Sequence, residues 1–204
     1  MITLSYEVIK ERVLKILLLG DTSVGKTSMA IRYVEGVFPD PDKLKSTIGV
    51  AFFSKKVKVN NEVIIAQIWD FAGQEHFRSF MKDMFRGAAG GLFVFDVTQV
   101  TTLDDLKNFW IPELESKLGF KLSETKNHPF VLVGNKVDLL DDVSSISTVN
   151  IVSMSELDEF LDKYGFQYFA TSAKTGENID IAFKSAVKKA YQFYIKPSKQ
   201  ATII

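Results

Sequence analysis

The chain predicts an α/β domain built on a mostly parallel six-stranded sheet, with one antiparallel strand and helices on both faces. Three observations predict it. Apolar strand-like runs alternate with helix-period segments from one end to the other. Three of those runs are continuously apolar, as strands covered on both faces are. The stretch Lys55-Lys56-Val57-Lys58-Val59 alternates and then turns at Asn60-Asn61, which predicts a hairpin and hence one antiparallel pair.

Taken in order, strands are expected at 13–19, 50–59, 63–70, 92–96, 130–135 and 167–171. Helices are expected at 27–35, 76–86, 103–118, 154–164 and 179–194. The last carries Ile179, Phe183, Ala186, Val187, Ala190, Tyr191 and Tyr194 on one stripe, the pattern of a helix lying on a sheet. At 204 residues and 46% hydrophobic, the chain can bury one sizeable core. The expected organisation is an N-terminal extension (1–11), one domain (12–196) and a short tail (197–204).

Composition narrows the function classes. The 25 basic and 25 acidic residues cancel, so nothing draws the chain in bulk to nucleic acid or anionic lipid. There is no cysteine, which excludes disulfides, zinc–thiolate sites and prenylation or palmitoylation of this chain. Met1-Ile2-Thr3 lacks the glycine that myristoylation needs, so no lipid anchor is evident. Glu7 and Glu11 interrupt any secretory pattern, and no apolar run reaches membrane-spanning length. A cytoplasmic protein is expected.

Candidate chemistry begins where strands stop, the place where open α/β sheets bind ligands. After the first run comes Gly20-Asp21-Thr22-Ser23-Val24-Gly25-Lys26-Thr27, a G-x-x-x-x-G-K-[ST] loop leading into a helix. Its glycines let several N–H groups converge on one phosphate, at the positive end of the helix dipole. Lys26 would reach the β- and γ-phosphates, and the Thr27 hydroxyl would ligate Mg²⁺. After the third run, Asp70 can hold a water of the Mg²⁺ shell, Gly73 can approach a γ-phosphate, and Gln74 can orient an attacking water. Alone, such a D-x-x-G turn is common; downstream of the phosphate loop it gains weight.

Asn135-Lys136-Val137-Asp138 follows the fifth run. The Asp138 carboxylate can accept two parallel N–H bonds from guanine N1 and N2, which adenine cannot offer. Asn135 would bond guanine and tie neighbouring loops, and the Lys136 stem would cover one ring face. The bland alternative is a polar turn after a buried strand. Thr171-Ser172-Ala173-Lys174 follows the sixth run; its N–H groups, chiefly that of Ala173, could meet the guanine O6, with the Lys174 stem nearby. Thr47, before the second strand, can offer its hydroxyl to Mg²⁺ and its N–H to a γ-phosphate, and only while that phosphate exists. The proline-broken segment 38–45 ahead of it reads as a mobile loop, and Phe38 could stack edge-on against the base.

These ordered segments (GDTSVGKTS, STIGV, WDFAGQE, GNKVDL and TSAK) resemble the Ras-like small GTPases over about residues 12–196. Ile48-Gly49-Val50-Ala51-Phe52, Ile68-Trp69-Asp70, His76-Phe77-Arg78-Ser79 and Phe85-Arg86-Gly87-Ala88 look most like the Rab branch. The resemblance implies a P-loop small G-domain, a monomeric switch that binds GTP with Mg²⁺ and relaxes after hydrolysing it to GDP, with a place in membrane trafficking. It implies phosphate binding by Asp21, Thr22, Ser23, Val24, Gly25, Lys26, Thr27 and Ser28, and Mg²⁺ held through Thr27, Thr47 and Asp70. Gly73 would sense the γ-phosphate; Gln74, with Lys26 and Thr47, would serve hydrolysis. Guanine would be read by Asn135, Lys136, Asp138, Ser172, Ala173 and Lys174. Effectors, exchange factors and GTPase-activating proteins would meet residues 38–52 and 70–88, with Phe52, Trp69 and Phe85 as the aromatic triad.

Departures from the family pattern are specific. The 38–47 loop is two residues longer than usual, Phe71 stands where Thr is common, and His76 replaces a common Arg. Segments 119–129 and 141–153 are long, and the C-terminal cysteine of Rab proteins is absent. Two rival readings remain. One is a non-hydrolysing GTP- or GDP-binding interaction module, in which Phe71 and the longer loop prevent catalytic closure. The other is a small-molecule kinase, which would leave the N-K-x-D and TSAK segments without a purpose.

Overall fold

Each of the six strand candidates forms a strand. They are β1 (Arg12–Leu19), β2 (Val50–Val59), β3 (Glu62–Phe71), β4 (Gly90–Asp96), β5 (Phe130–Asn135) and β6 (Gln167–Ala170), in the order β2-β3-β1-β4-β5-β6. The computed structural model describes residues 11–40, 42, 46–74, 82–125, 127–140 and 151–195. Only β2 and β3 run antiparallel, joined at the expected Asn60-Asn61 turn, with Asn60 left-handed at φ 54° and Val59 facing Glu62. All other neighbours are parallel.

The continuous apolar runs are explained by two cores. On one face, Leu14, Ile16 and Leu18 of β1 join Ile64, Ala66 and Ile68 of β3 beneath α1 (Lys26–Glu35) and a long C-terminal helix, Ile179–Tyr194. On the other, Leu17, Leu19, Phe93, Phe95, Phe130 and Leu132 meet Leu103, Leu106, Trp110, Ile111 and Leu114. Alternate residues of one strand therefore serve opposite cores. The helical stripe at 179–194 is buried from Ile179 to Tyr191, but Tyr194 lies 47% exposed.

Two helix expectations change. The predicted helix 103–118 starts earlier and is broken in type: α2 (Val100–Asp105), a π turn (Leu106–Trp110), then α3 (Ile111–Leu118). Pro112 accounts for the widening, because it has no N–H and its ring would strike the carbonyl one turn back in a regular helix. Of the helix expected at 76–86, residues 76–81 lie outside the described ones, and Lys82–Phe85 forms a 3₁₀ turn. The two remaining helices are α4 (Met154–Tyr164) and α5 (Ile179–Tyr194). A capping box starts α4: Ser153 Oγ accepts the Glu156 N–H while Glu156 accepts the Ser153 N–H. Most of the long segment at 141–153 lies outside the described residues.

His128 ties β5 to the end of α4. It is fully buried; Nδ1 accepts the Phe130 N–H at 3.3 Å, leaving Nε2–H to donate to the Tyr164 carbonyl at 2.9 Å. Burial pushes its pKa below the ordinary 6.5; the bond to the Tyr164 carbonyl opposes this, and the nearby Lys189 charge adds to it. The unfolded chain therefore takes up a proton near pH 6.5 that the folded chain refuses, so His128 favours folding fully above that pH and progressively less below it. Urea midpoints should fall as pH drops from 7 to 5.5, and His128→Phe should flatten that slope. An equal slope in both proteins would remove His128 from the account.

Candidate nucleotide site

The carboxyl ends of β1, β3, β5 and β6 surround one cleft of about 420 Å³, lined by residues of the phosphate loop, Phe38, Thr47, Gly73, Gln74 and the loops after β5 and β6. The loop 20–27 takes its shape from three left-handed or near-extended positions, Gly20 at φ 149°, Ser23 at 59° and Gly25 at 98°. A side chain at Gly20 would sit 2.1 Å from the Val94 carbonyl oxygen. Gly25 caps α1 with no side chain bonded to the helix's N–H groups, and the first turn carries no acidic residue. That leaves a helix N-terminus suited to an anion. Lys26 is buried, with Nζ donating to the carbonyls of Gly20 (2.8 Å) and Asp21 (2.6 Å).

Three oxygen groups converge beside Lys26. Thr27 Oγ1 lies 2.7 Å from Thr47 Oγ1 and donates to Asp70 Oδ2 at 2.6 Å, and Thr47 Oγ1 reaches the same oxygen at 3.4 Å. Asp70 is fully buried, and its other oxygen, Oδ1, has no hydrogen-bond partner among the described residues. Burial raises its pKa; the Lys26 charge and the two threonine hydroxyls pull partly the other way. An orphaned carboxylate oxygen with two hydroxyls is a hard-oxygen set that fits Mg²⁺, which keeps waters and phosphate oxygens for its other ligands. Among the described residues no group of three or more His, Cys, Asp or Glu forms a metal cluster.

At the other end of the cleft, Asn135 is buried and its amide joins three segments. Nδ2 donates to the Val24 carbonyl at 2.9 Å, while Oδ1 accepts from Thr171 Oγ1 (3.2 Å) and the Ala173 N–H (3.1 Å). Asp138 Oδ1 accepts from Ser172 Oγ at 2.5 Å, and that hydroxyl accepts the Thr175 N–H at 3.0 Å. Lys136 is left-handed at φ 71°, with Nζ 2.6 Å from the buried Asp96 Oδ2. One carboxylate thus anchors the lysine and another is oriented by a serine.

The structure brings Thr22, Ser23, Gly25, Lys26, Thr27, Ser28, Phe38, Thr47, Gly73, Gln74, Asn135, Lys136, Asp138, Ala173 and Lys174 to the cleft. Three details differ from expectation. Asp21 and Val24 do not line it: the Asp21 carboxylate accepts the Thr22 N–H at 2.6 Å, and Val24 is a core residue whose carbonyl serves Asn135. Ser172 stands behind the wall, holding Asp138. The Ala173 N–H, expected to meet a base carbonyl, is engaged by Asn135.

Sequence reasoning missed Asp96 and Arg32. Asp96 had a signal: it ends β4 as Asp70 stands near the end of β3. Arg32 had none, being an ordinary cation in the last turn of a helix.

A strand–phosphate-loop–helix unit with a convergent hydroxyl–carboxylate set defines a P-loop nucleotide-binding protein. The Ras family model matches residues 15–192. "GTP-binding protein yptV5" of Volvox carteri is 38% identical over 181 residues, 89% of this chain and 83% of that protein. "Ras-related protein RABG3f" of Arabidopsis thaliana (38%; 89% and 84%) and "Ras-related protein Rab7" of Drosophila melanogaster (38%; 90% and 83%) are similar over 182 and 183 residues. The chain belongs to the Ras family of small GTPases, and its Rab-named relatives put it in the Rab branch.

Proposed function

We propose that this Rab-like GTPase works as a switch in membrane trafficking whose γ-phosphate end is built from Thr27, Thr47, Asp70, Gly73 and Gln74. The observation that carries the reading is the convergence of Thr27, Thr47 and Asp70 beside Lys26, at one end of a cleft whose other end holds Asp138. Bound Mg²⁺ would neutralise charge on the phosphates. Lys26 would hold the β- and γ-phosphates, Gly73 would touch the γ-phosphate only while it exists, and Gln74 would orient water. Thr47 and Gly73 then lose their reason to stay in place once that phosphate leaves.

Phe71 is compatible with hydrolysis. The residue borders the cleft, but its ring is fully buried and packs edge-on against Phe85, with centroids 5.1 Å apart. Partners would meet the face bearing Ile48, 80% exposed, and Phe52, 58% exposed with its ring edge-on to Trp69. Phe85 is 1% exposed, so the contact surface would be Phe52 and Trp69 with Phe85 as their support. No helix of the described residues is long and apolar enough to cross a membrane.

The experiment is single-turnover hydrolysis of Mg²⁺–GTP. Wild-type protein should release phosphate slowly, since an arginine supplied in trans adds about 10³–10⁵ in rate to Ras itself. Gln74→Leu should lower the rate by about tenfold or more while leaving GTP bound. Unchanged turnover in that variant would take Gln74 out of the mechanism, and wild-type protein that binds GTP but releases no phosphate would favour the interaction module.

A further inference from the structure

We propose that Arg32 is a positioning residue for nucleotide retention, clamping the loop after β6 to the end of α1 so that the base-reading segment and the root of the first switch, the 38–47 loop, open together. The proposal rests on the guanine-nucleotide reading above. The Arg32 guanidinium meets three carbonyls: Nε donates to Ala173 at 3.0 Å, Nη2 to Lys174 at 2.5 Å and Nη1 to Gly36 at 2.9 Å. Only the planar fork of arginine presents donors in three directions from one rigid group; a lysine ammonium at the same place is a point charge on a flexible stem.

Glycines flank the clamp on both sides. Gly176, left-handed at φ 91°, turns the loop beside Arg32, where a Cβ would lie in ordinary contact, 3.7 Å from Arg32 Cδ. Gly36, left-handed at φ 78°, ends α1 with its N–H on the Arg32 carbonyl, so Arg32 holds Gly36 through backbone and side chain alike. Two residues further on is Phe38, which lines the cleft. On the opposite side, Ala173 also donates to Asn135, which in turn holds the carbonyl of Val24. A continuous series of bonds therefore runs from the phosphate loop through Asn135, Ala173 and Arg32 to the root of the first switch. A partner that pulls the first switch outward breaks the Gly36 bond and frees the guanidinium from the base loop, although it never touches the base. Release of nucleotide, more than its capture, is the step this controls.

The test uses the full chain loaded with Mg²⁺ and a fluorescent N-methylanthraniloyl GDP, chased with excess GDP. Arg32→Gln should speed release about tenfold or more, and Arg32→Lys should fall between it and wild type. Glu115→Gln supplies the control for general destabilisation: its carboxylate holds the Leu122 N–H at 2.7 Å and Lys121 at 2.9 Å, away from the cleft, and its release should match wild type. Wild-type release from Arg32→Gln, or equal acceleration by Glu115→Gln, would overturn the clamp. A wild-type chain that retains no labelled GDP would overturn the nucleotide reading and the clamp with it, and shows itself before any substitution is made.

Discussion

Asp138→Asn is expected to weaken GTP binding by about 10²–10⁴-fold and to strengthen xanthosine triphosphate binding. Asp138 is half-buried, and one of its oxygens already accepts the Ser172 hydroxyl at 2.5 Å. An asparagine keeps that bond through its own oxygen, so its amide N–H₂ turns toward the base. Guanine presents donors there, at N1 and N2, and donor then faces donor in a partly desolvated wall. Each buried donor left unsatisfied costs about 1–3 kcal/mol, and two of them give the range above. Xanthine carries a carbonyl in place of the 2-amino group and accepts what guanine cannot. Competition titrations with the two triphosphates check the inversion; equal GTP affinity in variant and wild type would take Asp138 out of base reading.

Gly73→Ala should cut single-turnover GTP hydrolysis by about 10²-fold while leaving GDP affinity within about fivefold. Gly73 is packed against the phosphate loop so closely that an added Cβ would lie 2.1 Å from the Thr22 nitrogen and 2.2 Å from the Asp21 carbonyl carbon. Both are backbone atoms of a loop whose dihedrals are already special, so the loop cannot yield cheaply. The segment 73–74 must back away, and a displacement of about 1 Å is enough to cost 10²-fold in rate. GDP, lacking the γ-phosphate that Gly73 would touch, does not register the change. Rapid-quench hydrolysis beside GDP titration separates the two; hydrolysis at the wild-type rate would contradict the close approach as a working part of the site.

The features legible in the sequence are those with a local cause. The Gly20, Gly25 and Lys26 spacing marks a loop because only certain residues allow that backbone. The strand tips carrying Asp70, Asn135 and Thr171 follow apolar runs whose burial on both faces leaves no polar alternation. The illegible features arise between distant segments. Arg32 meets a loop 141 residues away, His128 meets Tyr164 across 36, and neither contact leaves a period in the chain. Pro112 is a local signal for a break that the helical periodicity of 103–118 does not reflect. The Ala173 N–H was expected to face the base because the motif places it near, and only the tertiary placement of Asn135 reveals its partner.

The most direct test sets GTP against ATP in displacing labelled GDP from the Mg²⁺-loaded full chain. A cleft with Asp138 at one end and Thr27, Thr47 and Asp70 at the other should favour GTP by about 10³-fold or more. Displacement by both nucleotides at the same concentration would contradict the account.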